Sequence, residues 1–107
     1  MICNYDIHIH TRLSSCASPD ATLQSYLDSA ERLGLDFIGI SDHMWDSAIP
    51  GASPWYVPQS FAHIAAIRQE IAGTPHRIPV YFGCETEFTH QNVLAISEPV
   101  LDQLDYV

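Results

Sequence analysis

An alternation of strand-like and helix-like segments constrains this chain most. Residues 37–40, Phe-Ile-Gly-Ile, are apolar on both faces, as expected of a parallel strand covered by helices. Before them, Leu23, Tyr26, Leu27, Ala30 and Leu33 form one apolar stripe at helical spacing, and Gly34 ends it. Ser18-Pro19-Asp20 predicts the start of that helix: a cap, a proline at the first helical position, then an acid near the positive end of the helix dipole. Residues 59–72 repeat the helical pattern through Phe61, Ile64, Ala65, Ile67 and Ile71, closed by Gly73. Strands are predicted over residues 2–10, 36–41 and 78–85. Residues 93–96 suit a short strand or extended turn, Ser97-Glu98-Pro99 a further helix start, and Tyr106-Val107 the beginning of another strand.

Strand, helix, strand, helix, strand predicts an α/β fold with parallel strands and right-handed crossovers. By periodicity alone, an open sheet of three or four strands is the simplest arrangement. A barrel cut partway gives the same pattern, since a closed sheet needs more strands than 107 residues supply here.

Chemistry gathers at the carboxyl ends of the predicted strands, where parallel α/β folds bind ligands. The first strand ends in Asp6-Ile7-His8-Ile9-His10-Thr11, which puts two imidazoles on one face and predicts Tyr5, Ile7 and Ile9 on the other. Each imidazole offers one neutral nitrogen, so the pair suits a metal. The second strand ends at Asp42-His43 and the third at Glu85, with Glu87 nearby. His43 is a further ligand candidate, and Glu85 has two oxygens with which to bridge ions. Strict alternation faces Asp42 away from His43; it could bind metal, orient a histidine or move a proton. Cys16 follows His10 in the next loop and is a candidate zinc ligand, whereas Cys84 reads as a small buried hydrophobe. His63, His76 and His90 belong to no constellation. Residues 44–58 form a long irregular loop whose Trp45, Trp55 and Tyr56 either roof a pocket or pack the loop down.

Composition narrows the partners. Thirteen acids face four bases, all arginine, for a formal charge of −9. No basic patch exists to bind nucleic acid independently or to dock on an anionic membrane. Three widely spaced cysteines give no disulfide framework, which favours a cytoplasmic setting. Apolar runs fall short of the roughly 18 residues of a membrane span, and no phosphate-binding glycine loop or nucleophile elbow is present.

Taken together, Asp6-Ile7-His8-Ile9-His10-Thr11 with Ser14-Ser15, Ile40-Ser41-Asp42-His43 and Gly83-Cys84-Glu85 resemble the opening three motifs of the PHP (polymerase and histidinol phosphatase) domain family. The resemblance implies the N-terminal portion of a distorted (β/α)7 TIM-like barrel, with residues 1–107 covering three β/α units and the start of a fourth strand. It implies two or three divalent ions (zinc, manganese or iron), metal-dependent phosphoesterase activity in the complete domain, and a small phosphorylated substrate. His8 and His10 look like ligands of the first metal, Glu85 like the carboxylate bridging two metals, and His43 like a ligand of a further one. Asp42, the acid of the family's Asp-His pair, is the catalytic candidate. Cys16 matches a loop position where the family uses histidine or an acid, so the departure implies either that the third ion is lost or that its ligand is a thiolate. Two alternatives remain open at this level: a truncated, non-catalytic fragment that self-associates through exposed sheet edges, and an amidohydrolase-like C–N hydrolase.

Overall fold

Short apolar segments place three parallel strands side by side. The computed structural model describes residues 4–107. Its strands β1 (Tyr5–Ile9), β2 (Phe37–Ile40) and β3 (Val80–Phe82) form one sheet in that order, each neighbouring pair parallel. Helix α1 (Leu23–Leu33) joins β1 to β2, α2 (Phe61–Gly73) joins β2 to β3, and the short α3 (Glu98–Leu101) follows. Tyr106 extends the parallel order through a bridge to Gly83. The sheet is open among the described residues, and its β/α alternation is that of the first units of a TIM-like barrel. No helix among them is long and apolar enough to cross a membrane. Ile2 and Cys3, predicted to open the first strand, lie outside the described residues.

One face of the sheet carries the helices. Ile9, Ile38, Ile40, Phe82 and Cys84 are buried in a single cluster with Leu23, Leu27 and Ala30 of α1 and Ile64 and Ile67 of α2. Each large aliphatic side chain so buried contributes about 1.5–3 kcal/mol.

Strict alternation in β1 predicted that Tyr5, Ile7 and Ile9 share a buried face. Ile9 is buried, but Tyr5 and Ile7 are 43% and 41% exposed. A register shift is the reason: Asp6 pairs with Ile38 and Ile9 with Ile40, so β1 spends an extra residue between them. Such a bulge reverses the side-chain alternation beyond it. Ile9 thereby turns towards the helices, and His8 and His10 are left on the opposite face. Tyr5 stacks instead on Phe37, with ring centroids 4.6 Å apart.

Helix α1 begins later than Ser18-Pro19-Asp20 predicts. Those residues form a turn in which Asp20 N–H donates to Ser18 Oγ (3.2 Å) and Ala21 N–H to Ser18 O (3.0 Å). Serine's capacity to bond its own local backbone wins here. Thr22 is the cap, its Oγ1 accepting from Ser25 N–H at 3.2 Å. Gly34 ends the helix as predicted, in the left-handed conformation at φ 71°. Helix α2 starts at Phe61 rather than Gln59, because Ser60 is extended (ψ 174°) and the Gln59 backbone is used elsewhere, its N–H donating to Tyr56 O and its C=O accepting from Trp45 N–H. The Gln59 side chain accepts from Ser15 N–H and donates to Trp55 O.

On the sheet face opposite the helices, Tyr106 lies across β2 and the end of β3. Its hydroxyl donates to Ile7 O at 2.8 Å. A Cβ at Gly39 or at Gly83 would come within 2.5 or 2.6 Å of the Tyr106 side chain, so both positions admit only glycine while the ring stays.

Candidate metal centre

The strand ends bring three histidines to one carboxylate oxygen. Glu85 Oε2 lies 2.7 Å from His10 Nε2, 3.2 Å from His8 Nε2 and 3.5 Å from His43 Nε2. A parallel bridge between His43 and Glu85, just beyond β2 and β3, sets the last two in register. Ligand atoms of His8, His10 and Glu85 lie within 4.8 Å of one another, and so do those of His10, Cys16 and His43. Cys16 Sγ is 3.4 Å from His10 Nδ1.

These donors fit a divalent cation. His10 Nε2 is buried and faces Glu85 Oε2 at 2.7 Å without a well-aligned hydrogen bond, a pairing of imidazole nitrogen and carboxylate oxygen that a cation would satisfy. Nitrogen, sulphur and carboxylate oxygen are the donors that zinc and its first-row neighbours accept. Burial lowers the His43 pKa, outweighing the nearby carboxylates, and so favours the neutral, ligating imidazole. Burial raises the Glu85 carboxyl pKa, but hydrogen bonding from His8 and the influence of His43 and His10 bring it below its usual value, keeping it ionised.

Tyr56 fixes the orientation of His43. Its buried hydroxyl donates to Glu87 Oε1 at 3.4 Å and lies 3.1 Å from His43 Nδ1. With the phenolic O–H directed at Glu87, His43 Nδ1–H donates to the phenol oxygen, and the lone pair is on Nε2, facing the cluster. The aromatic loop divides between its two predicted roles. Trp45 packs down beside Tyr56 and Ala95, while the half-exposed Trp55 ring stands 4.9 Å from the His43 ring.

Asp42 is not brought into the cluster. It is buried on the other side of the strand end, its carboxylate accepting from Thr11 N–H (2.6 Å), Thr11 Oγ1 (2.8 Å) and Ser14 Oγ (2.7 Å). Ser14 Oγ in turn accepts from His43 N–H at 3.0 Å. Asp42 thus ties the loop carrying Cys16 to the strand end carrying His43. Cys84 is buried as predicted, and burial pushes its thiol up to about 12. His63 is satisfied by Leu13 O at 2.6 Å. Glu87 is exposed.

Sequence reasoning missed the anchoring roles of Thr11, Ser14, Tyr56 and Gln59. The hydroxyl-rich run after His10 was the available signal for the first two; Tyr56 and Gln59 act through a loop whose path no local pattern encodes. Beside the cluster, Ile7, His8, Cys84, Glu85, Thr86, Leu94 and Tyr106 line an open cavity of about 310 Å³, in which Thr86 Oγ1 is buried without a partner. Comparison with known protein families and with curated proteins gives no match for this sequence.

Proposed function

We propose that this cluster is the metal centre of a phosphoesterase and that residues 1–107 form the first part of a PHP-like domain. The observation that carries the reading is the convergence of His8, His10 and His43 on Glu85 Oε2 from three successive strand ends. The three sequence motifs resembling that family supply these same residues. Two or three ions of the zinc, manganese or iron class would be held by His8, His10 and Glu85 on one side and by Cys16 and His43 on the other. When bound, they supply Lewis-acid stabilisation of phosphate oxygens and an acidified water.

The chain's own residues would do the rest. Glu85 would have a second oxygen with which to hold a neighbouring ion, and Tyr56 with Glu87 would keep the His43 lone pair on Nε2. Thr86 has a free hydroxyl with which to donate to a substrate oxygen in the adjoining cavity. Trp55 flanks the site on the His43 side, where it can cover an apolar leaving group. Asp42 acts as a positioning residue through Thr11 and Ser14.

The complete domain, stripped of metal, reloaded with Mn²⁺ or Zn²⁺ and assayed on a panel of small phosphoesters, tests this reading. Metal-dependent turnover that disappears in His10→Ala is expected. Stoichiometric metal binding with no hydrolysis would reduce the site to metal binding alone, and turnover unaffected by a chelator would overturn the metal mechanism.

A further inference from the structure

Two donor sets of different hardness share His10. One offers His8 and Glu85, nitrogen and carboxylate oxygen; the other offers Cys16 and His43, sulphur and nitrogen. His10 turns Nε2 towards Glu85 at 2.7 Å and Nδ1 towards Cys16 Sγ at 3.4 Å. We propose that Cys16 and His43 form a seat for a thiophilic divalent ion of the zinc, cobalt or cadmium class, while the His8–His10–Glu85 seat accepts harder ions such as manganese. The proposal rests on the reading of both clusters as metal seats and adds that they discriminate between metals.

Ligand chemistry gives the preference. Thiolate selects soft ions, whereas carboxylate suits manganese. A neutral imidazole has a single lone pair. With the lone pair of His10 on Nε2, directed at the harder seat, its Nδ1–H points at the Cys16 sulphur and donates to it. His10 then serves one seat as ligand and the other as an outer-sphere donor, the arrangement that orients metal ligands elsewhere. His43 supplies the nitrogen of the softer seat through Nε2, since Tyr56 holds Nδ1, and solvent would fill the positions that Cys16 and His43 leave open.

The sulphur is also held in place. Ser14 Oγ bonds both Asp42 and His43 N–H, and Ser15 N–H donates to the buried Gln59 side chain, so the two residues before Cys16 are fixed to the scaffold. Such support keeps a ligand within the tolerance a metal site demands. Cys16 is exposed and open to an incoming ion, whereas Cys84 is buried in the core.

Cobalt titration of the metal-stripped protein, with and without excess Mn²⁺, tests the proposal. Expected is a saturable sulphur-to-cobalt charge-transfer band that persists under manganese and vanishes in Cys16→Ser, with the circular dichroism unchanged. In Cys16→Asp, preference for cadmium over manganese should fall by more than about 10-fold, since even outer-sphere losses cost that much affinity. Cobalt bound without the band, or a band that survives Cys16→Ser, overturns the soft seat and leaves the metal centre standing. No cobalt bound at all by equilibrium dialysis overturns both.

Discussion

His10 and Glu85 follow strands that are not neighbours in the sheet, yet Nε2 of one lies 2.7 Å from Oε2 of the other. The intervening strand β2 ends at Ile40, so the two side chains meet above it, with His43 filling the third side. Parallel strands that end level, each followed by a polar residue on the face away from the helices, create this meeting point.

Glu85→Gln preserves shape and removes the charge. It should weaken Mn²⁺ binding by about 100-fold or more, because loss of a ligand exceeds the cost of losing an outer-sphere partner. Isothermal titration calorimetry reads this directly, and unchanged affinity would exclude Glu85 from the shell.

Asp42→Ala should destabilise the fold by about 2–4 kcal/mol, because it leaves buried donors on Thr11 and Ser14 without their charged acceptor. Urea denaturation measures it. A loss below about 0.5 kcal/mol, the range of ordinary surface changes, would contradict the anchoring role.

Gly39→Ala sets a methyl within 2.5 Å of Tyr106 and should cost about 1–3 kcal/mol through overpacking. In a Tyr106→Ala background the same change should cost far less. Additive penalties in the double-mutant cycle would show that the ring does not occupy that position.

Asp46 gives the fold an acid limit. Burial pushes its carboxyl pKa up, but hydrogen bonds from the Ser97 hydroxyl and from the Ala48 and Ser97 N–H groups outweigh this and hold it below its usual value. The folded-state pKa is therefore lower than the unfolded one. Its stabilising contribution is complete above the unfolded value, about 4, and is lost as pH falls through the folded one. Asp46→Asn should be less stable near neutral pH by about 1–2 kcal/mol and should lose less on acidification. Parallel acid limbs in wild type and variant would contradict this.

Much of the arrangement was legible locally. Phe37-Ile38-Gly39-Ile40 and the Leu23–Leu33 stripe announced a parallel strand and its covering helix, because each pattern reflects a periodicity of the backbone itself. His8, His10, His43 and Glu85 could be grouped because parallel topology places successive strand ends together. What escaped depended on contacts distant in sequence. The bulge in β1 depends on how β1 meets β2, so Tyr5 and Ile7 could not be read as exposed. Ser18-Pro19-Asp20 carries the chemistry of a helix start, yet Ser18 satisfies its own turn and Thr22 caps the helix. Asp42 stood beside His43 in sequence but faces the loop, where Thr11 and Ser14 claim both its oxygens.

Anomalous diffraction from crystals grown with Mn²⁺ tests the central claim most directly. A peak within bonding distance of His8 Nε2, His10 Nε2 and Glu85 Oε2 is predicted, with the metal taking the place of the direct His10–Glu85 contact. Saturating manganese that leaves this position without anomalous signal, while the histidines still crowd the Glu85 carboxylate, would contradict it.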